Sequence, residues 1–293
     1  MRVYREGRLV QNRFVEASNG VCYAYRCFGD SAQTPLLLLS HFRANLDMWD
    51  PLLISEIAAE RPVVLVDNAG IGLSGGRTPH TIEEMARDIH AFLQACQLSE
   101  VDLLGFSIGG YVAQELALHH PDLVRRVILA GTAPRGTGGD LALSGRAHTS
   151  ATKEVIGPKD LLSLFFPANP AGREGGVDFI RRLGQHRPDP DRSVSRSAWQ
   201  AQIAAATAWG LPAPRALAEL TQMTQPTLVA HGELDVMVDA EKGRLLAAHL
   251  PNSILRIYQD AGHAFLFHNP EEFAAVVRDF LGAGSLDDAS ATP

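Results

Sequence analysis

Apolar residues in this chain gather in short unbroken runs separated by stretches of helical spacing. Leu36 to Leu39, Pro62 to Val66, Val101 to Leu104, Val124 to Ala130, Thr227 to His231 and Ile254 to Tyr258 read as strands, because a parallel strand buried on both faces shows continuous rather than alternating hydrophobicity. Between them the period changes. A short helix is predicted near Trp49 to Ala59, and Thr81 with Glu84 three residues on forms a capping box for a helix reaching about Gln97. From Gly109 the positions Tyr111, Val112, Glu115, Leu116 and His119 fall on successive turns, until Pro121 stops them. Helices at about Ala240 to Leu250 and Pro270 to Leu281 accompany the last two strands. This alternation predicts a doubly wound, mostly parallel sheet. Ahead of it, Val10 to Val15 and Val21 to Phe28 flank the turn Ser18-Asn19-Gly20, an antiparallel hairpin for the sheet edge.

The rhythm fails between residues 134 and 220. Glycine and proline cluster at Gly136 to Gly139, Pro167 to Gly176 and Pro188 to Pro190, with short helical segments between them at Asp178 to Leu183 and Trp199 to Trp209. The expected organisation is therefore a core of residues 1–133 and 221–283, an inserted helical cap over 134–220, and a small, polar, flexible tail over 284–293. No internal repeat is visible.

The junction at Val101-Asp102-Leu103-Leu104-Gly105-Phe106-Ser107-Ile108-Gly109-Gly110 carries the chemistry. A serine at so sharp a strand-to-helix turn is forced into strained backbone geometry that lifts its hydroxyl clear of the sheet. Glycine at 105 and 109 leaves room for the turn. The helix that follows points its free amides at the same place, beginning with that of Ile108, where they can receive a developing oxyanion. Gly-x-Ser-x-Gly alone arises by chance in roughly one chain of this length in ten. Its position between a buried strand and a helix makes Ser107 a candidate nucleophile rather than a glycine-rich turn.

Composition narrows the field. The net charge is −7 and the pI near 5.9, which gives no basic footprint for nucleic acid. Cys22, Cys27 and Cys96 have neither metal-ligand spacing nor an even count, so free thiols in a reducing compartment are expected. Arg2, Tyr4, Arg5 and Glu6 follow Met1 with no apolar stretch, so no signal peptide is expected. No apolar run approaches the ~18 residues of a membrane span. The cytoplasm is the default location. Homo-oligomerisation is left open.

The elbow resembles that of the α/β-hydrolase family, in which acid and histidine follow the serine in that chain order. The resemblance covers essentially the whole chain outside the cap. It implies an α/β-hydrolase fold, Asp235 in His231-Gly232-Glu233-Leu234-Asp235 as the acid, and His263 in Gly262-His263 as the base. Glu233 is the weaker rival to Asp235. Asp239 is better explained as the N-cap of the next helix, and His268 as part of the entry to the last one. The family's second oxyanion donor comes from the loop after the first central strand. Here that loop reads Ser40-His41-Phe42 in place of His-Gly-x, so by position the amide of Phe42 is the donor, while His41 and Arg43 are candidates for the substrate pocket.

Three further readings complete the expectation. Gly70-Ile71-Gly72-Leu73-Ser74-Gly75 matches a dinucleotide fingerprint, but Arg77-Thr78-Pro79 stands where a helix should open. Residues 134–220 carry 11 Lys and Arg against 8 Asp and Glu, an excess that suits either an anionic substrate or a solvated face. Leu164-Phe165-Phe166, Trp199 and Trp209 either line an apolar pocket or pack the cap onto the core. The function implied is a serine hydrolase free of metal and cofactor, acting on a carboxylic ester, lactone or related small acyl compound. A perhydrolase or cofactor-free haloperoxidase, a carbon–carbon bond hydrolase and a slow-turnover small-molecule receptor would carry the same three side chains.

Overall fold

The computed structural model describes residues 10–138, 149–184 and 190–284. Eight strands form one sheet in the order β1-β2-β4-β3-β5-β6-β7-β8. They are β1 Arg13–Glu16, β2 Cys22–Phe28, β3 Leu36–Leu39, β4 Val63–Val66, β5 Val101–Phe106, β6 Val124–Ala130, β7 Thr227–Gly232 and β8 Ser253–Tyr258. β1 pairs with β2 and β2 with β4 antiparallel, and every other pairing is parallel. The central runs β3, β4 and β5 are buried at every residue, as two covered faces require.

Helices α1 Pro51–Ala58, α2 Ile82–Ala95 and α3 Ile108–His119 connect the first half of the sheet. Asp50 caps α1 by accepting from the Leu52 amide at 2.9 Å, and Thr81 caps α2 by accepting from that of Glu84 at 3.2 Å. Between β6 and β7 the described residues include the helices α4 Pro158–Phe165, α5 Pro170–Leu183, α6 Arg196–Gly210 and α7 Ala216–Glu219. α8 Ala240–His249, α9 Phe265–His268 and α10 Pro270–Gly282 complete the chain. Among the described residues no helix is long and apolar enough to cross a membrane.

Two helices depart from the sequence reading. The glycine and proline cluster at 167–176 is not a break, because α5 already begins at Pro170. Asn169 caps it by accepting from the Gly172 amide at 2.7 Å, and Pro170 occupies a first-turn position where its missing N–H costs nothing. Gly175 and Gly176 are required inside the helix because a Cβ would meet the His268 ring and the Leu162 side chain. α4 escapes sequence reading because its N-cap is Gly157, with Asp160 closing the box from the N3 position at 3.1 Å. The expected glycine clusters reaching residue 139 and at 188–190, and the tail expected over 284–293, lie largely outside the described residues.

Candidate active site

β5 ends at Phe106 and α3 begins at Ile108, leaving Ser107 alone at the junction with φ 56° and ψ −120°. Such a backbone costs a non-glycine residue about 1–3 kcal/mol, and the surroundings hold it. The Ser107 amide donates to Ala130 O at 2.9 Å, and its carbonyl accepts from the Gly110 amide and the Thr132 hydroxyl, both at 2.8 Å. The junction is crowded. A Cβ on Gly105 would stand 2.5 Å from Gly109 O, and one on Gly109 would collide with Leu39 O and stand 2.9 Å from Ser40 O. Glycine at 109 therefore lets the loop after β3 lie against the first turn of α3. Phe42 follows Ser40 by two residues in that loop, and neither its amide nor that of Ile108 donates to a backbone carbonyl among the described residues.

The other two candidates come from the ends of β7 and β8. Gly232 ends β7, and a Cβ there would strike Gly262 O and stand 2.6 Å from Ala261 O, so the two following loops touch. Across that contact His263 Nδ1 donates to Asp235 Oδ2 at 2.7 Å, with both side chains fully buried. Asp235 Oδ1 accepts from the amides of Met237 at 2.8 Å and Val238 at 3.0 Å. Burial alone would raise the Asp235 pKa. The charge and N–H of His263, together with the N–H of His231, outweigh it and hold the carboxyl well below the usual carboxylate range.

The imidazole of His263 rests on the residues around Ser107. Its ring centroid lies 4.9 Å from that of Phe106, and a Cβ on Gly131 would be 3.4 Å from its Nδ1. Its Nε2 is buried and finds no hydrogen-bond partner among the described residues, so the serine–histidine bond is open in this structure. In proteins without substrate such bonds are commonly long and close only around a bound acyl group.

The remaining candidates separate. His41 is buried against Phe106 at 5.2 Å and Phe165 at 5.0 Å, and its Nδ1 donates to Phe42 O at 2.9 Å. Burial holds its pKa down to about 3 against the opposing pull of the Phe42 carbonyl, with His263 pressing it lower, so it is neutral at pH 7. Arg43 is spent elsewhere. Its guanidinium donates to the carbonyls of Ala151, Lys153 and Glu154 at 3.2, 2.6 and 2.9 Å, and stacks on Trp199 at 4.8 Å. Trp209 stacks on Tyr111 at 5.2 Å and donates to Ala133 O at 3.3 Å. Both join the helical segment between β6 and β7 to the rest of the chain. Glu233 pairs with Arg244 at 2.6 Å, while Asp239 caps α8 by accepting from Glu241 N at 2.9 Å. His268 lies in α9, ahead of the last helix, and donates to Ala171 O at 2.8 Å.

The glycine loop after β4 turns without opening a helix. Gly70 N donates to Gly75 O at 2.8 Å, and the next helix begins only at Ile82, so the dinucleotide fingerprint lacks the helix N-terminus it needs. Among the described residues no cluster of three or more His, Cys, Asp or Glu side chains is placed to hold a metal ion. Sequence reasoning gave no role to His231, whose Nε2 lies 3.2 Å from Asp235 Oδ2.

Comparison with known proteins agrees with this architecture. A family described as alpha/beta hydrolase fold matches residues 34–270. A pimeloyl-[acyl-carrier protein] methyl ester esterase of Neisseria meningitidis is 31% identical over 255 residues, covering 83% of this chain and 92% of that protein. A poly(3-hydroxyalkanoate) depolymerase of Ectopseudomonas oleovorans is 27% identical, covering 85% and 84%. Among solved structures, an alpha/beta hydrolase fold protein from Chitinophaga pinensis superposes with TM-score 0.87 at 33% identity, over 94% of this chain and 98% of that one.

Proposed function

The chain belongs to the α/β-hydrolase fold family, and from that membership we propose that it is a serine hydrolase cleaving a carboxylic ester or lactone through an acyl-serine intermediate. Ser107 is the nucleophile, His263 the general base and Asp235 the group that orients it. Ser107 Oγ attacks the substrate carbonyl as its proton passes to His263 Nε2. The tetrahedral oxyanion is received by the amides of Phe42 and Ile108. Collapse expels the alcohol, which takes the proton from His263, and a water activated by the same imidazole releases the acid.

The observation that carries this reading is a buried His263 donating to a buried Asp235 at 2.7 Å beside a serine held at φ 56°. The donation fixes the tautomer, leaving Nε2 bare to accept a proton. An ester is favoured over other acyl compounds because a relative at 31% identity is named as a methyl ester esterase. The helical segment between β6 and β7 is read as a cap, held to the core by Arg43 and Trp209. Incubation with a fluorophosphonate tests the assignment. Mass should be added to the peptide containing Ser107 and lost in Ser107→Ala together with turnover of aryl esters, whereas labelling of another residue would remove Ser107 from its role.

A further inference from the structure

His231 is the last residue but one of β7, and its ring is excluded from solvent. Its Nε2 is 2.9 Å from Val238 O, which can only accept, so the ring proton sits on Nε2. The same nitrogen is 3.2 Å from Asp235 Oδ2, the oxygen that accepts from His263. Nδ1 is buried without a partner, and a Cβ on Gly243 of α8 would be 2.7 Å from it. Glycine at 243 thus lets α8 close over the ring, leaving no room for an acceptor that would favour a second ring proton.

We propose that His231 is a positioning residue for the acid of the site, a neutral histidine that pins the turn 235–238 through Val238 O and shares Asp235 Oδ2 with His263. The inference rests on the hydrolase reading only for its kinetic consequences. Asp235 is anchored at Oδ1 by two amides of its own turn, and the turn's backbone is tied to the sheet end through Leu234 N to Ala261 O at 3.0 Å and Asp235 N to Gly232 O at 3.2 Å, which leaves Oδ2 to be held by side chains. His231 supplies the second anchor, because it belongs to β7 and grips both the turn's carbonyl and the catalytic oxygen. Its N–H dipole also points toward the charge that His263 uses, so part of that charge is already engaged. Besides the trio, the titratable groups on the elements packed against it include His41 across the Phe106 and Phe165 rings, Glu233 in the turn, Glu241, Lys242 and Arg244 on α8, and Arg256 and Tyr258 on β8.

Removing the ring donor should loosen the acid and free its charge for His263, two effects with opposite signatures. In His231→Leu, kcat for an aryl ester should fall about tenfold with KM within about twofold. The acid limb of the kcat/KM profile should move to higher pH by about half a unit, because an imidazolium facing a less engaged carboxylate is better stabilised. His231→Gln, whose amide nitrogen can reach the same acceptors, should restore most of both. A Leu variant that keeps the wild-type kcat and acid limb would overturn the proposal, as would a Gln variant no better than Leu. Should Leu prevent folding, ¹⁵N imidazole spectra of the unaltered protein decide: His231 should be the Nε2–H tautomer, and an Nδ1–H tautomer would overturn it. If no ester is turned over and Ser107 takes no label, the hydrolase reading fails while the tautomer measurement still tests the network.

Discussion

His263 Nδ1 and Asp235 Oδ2 lie 2.7 Å apart with neither side chain exposed to solvent. A charge-assisted bond of that length in a water-free setting fixes both the ring's orientation and its tautomer. Replacing Asp235 by Asn would present an amide N–H to Nδ1 and favour the opposite tautomer, with the proton on Nε2 where the base must be bare. Turnover should fall by about four orders of magnitude. Asp239→Asn, four residues on, alters only a helix cap that asparagine serves as well, and should leave kcat within about twofold. Steady-state rates on one aryl ester compare the two, and equal losses would remove the distinction between them.

Ser107 pays for its position in backbone strain. Only glycine adopts φ 56° freely, so Ser107→Gly should raise stability by about 1 kcal/mol, or about 2 °C in Tm, while abolishing ester turnover. Ser107→Ala, which keeps the Cβ, should abolish turnover without the gain. Thermal melts of the two variants at equal concentration give the comparison. A glycine variant no more stable than the alanine one would mean that the hydrogen bonds from Gly110 and Thr132, rather than steric strain, dominate the turn.

A buried ion pair joins the helices between β6 and β7 to α1. Arg182 of α5 donates through Nε to Asp50 Oδ1 and Oδ2 at 3.0 and 2.9 Å, and through Nη2 to Oδ2 at 2.6 Å, while Asp50 also caps α1. Burial raises the Asp50 pKa and Arg182 pulls it back. Arg182→Leu would leave that carboxylate buried without a cationic partner, held only by the amides it caps, and should cost about 3 kcal/mol or more. Arg182→Lys keeps the charge but loses the two-point grip, and should cost less. Urea unfolding measures both, and a Leu variant within about 0.5 kcal/mol of wild type would show that water reaches Asp50 when the arginine leaves.

How much of this was legible in the sequence follows from which physics acts locally. Unbroken apolar runs announce strands because both faces of this sheet are covered, and the chain's β3 and β6 coincide with Leu36 to Leu39 and Val124 to Ala130. Ser107 is legible because its turn demands particular neighbours at fixed offsets. Arg43 is not, since its guanidinium is consumed by carbonyls more than a hundred residues away. His231 is equally silent: a histidine ending an apolar strand acquires meaning only when Asp235 folds back onto it and Gly243 closes over it. α5 was obscured because its glycines answer to His268 and Leu162, neither of them close in the chain.

A buried carboxyl beside a half-buried one gives the chain a stability that should depend on pH. Asp67, just past β4, is 1% exposed and accepts from the amides of Leu46 at 3.0 Å and Leu73 at 3.2 Å, with Asp191 of the insert beside it. Burial first, and then the Asp191 carboxylate, push the Asp67 pKa up to about 9. An exposed aspartate titrates near 3.9, so between these values the unfolded chain binds fewer protons than the folded one. Stability from this group is therefore complete below about pH 4 and is lost as pH rises through 9, at up to about 1.4 kcal/mol per pH unit. Asp191→Asn should flatten that slope. Asparagine can keep the bond from Arg192 N, seen here at 2.8 Å to Asp191 Oδ1, and turn its amide N–H toward an ionised Asp67. Leu46 N loses only a secondary acceptor at 3.3 Å. Unfolding free energies at pH 5, 6, 7 and 8 should diverge as pH rises, with the variant above wild type at pH 8, and parallel curves would mean that the two carboxyls do not share a proton.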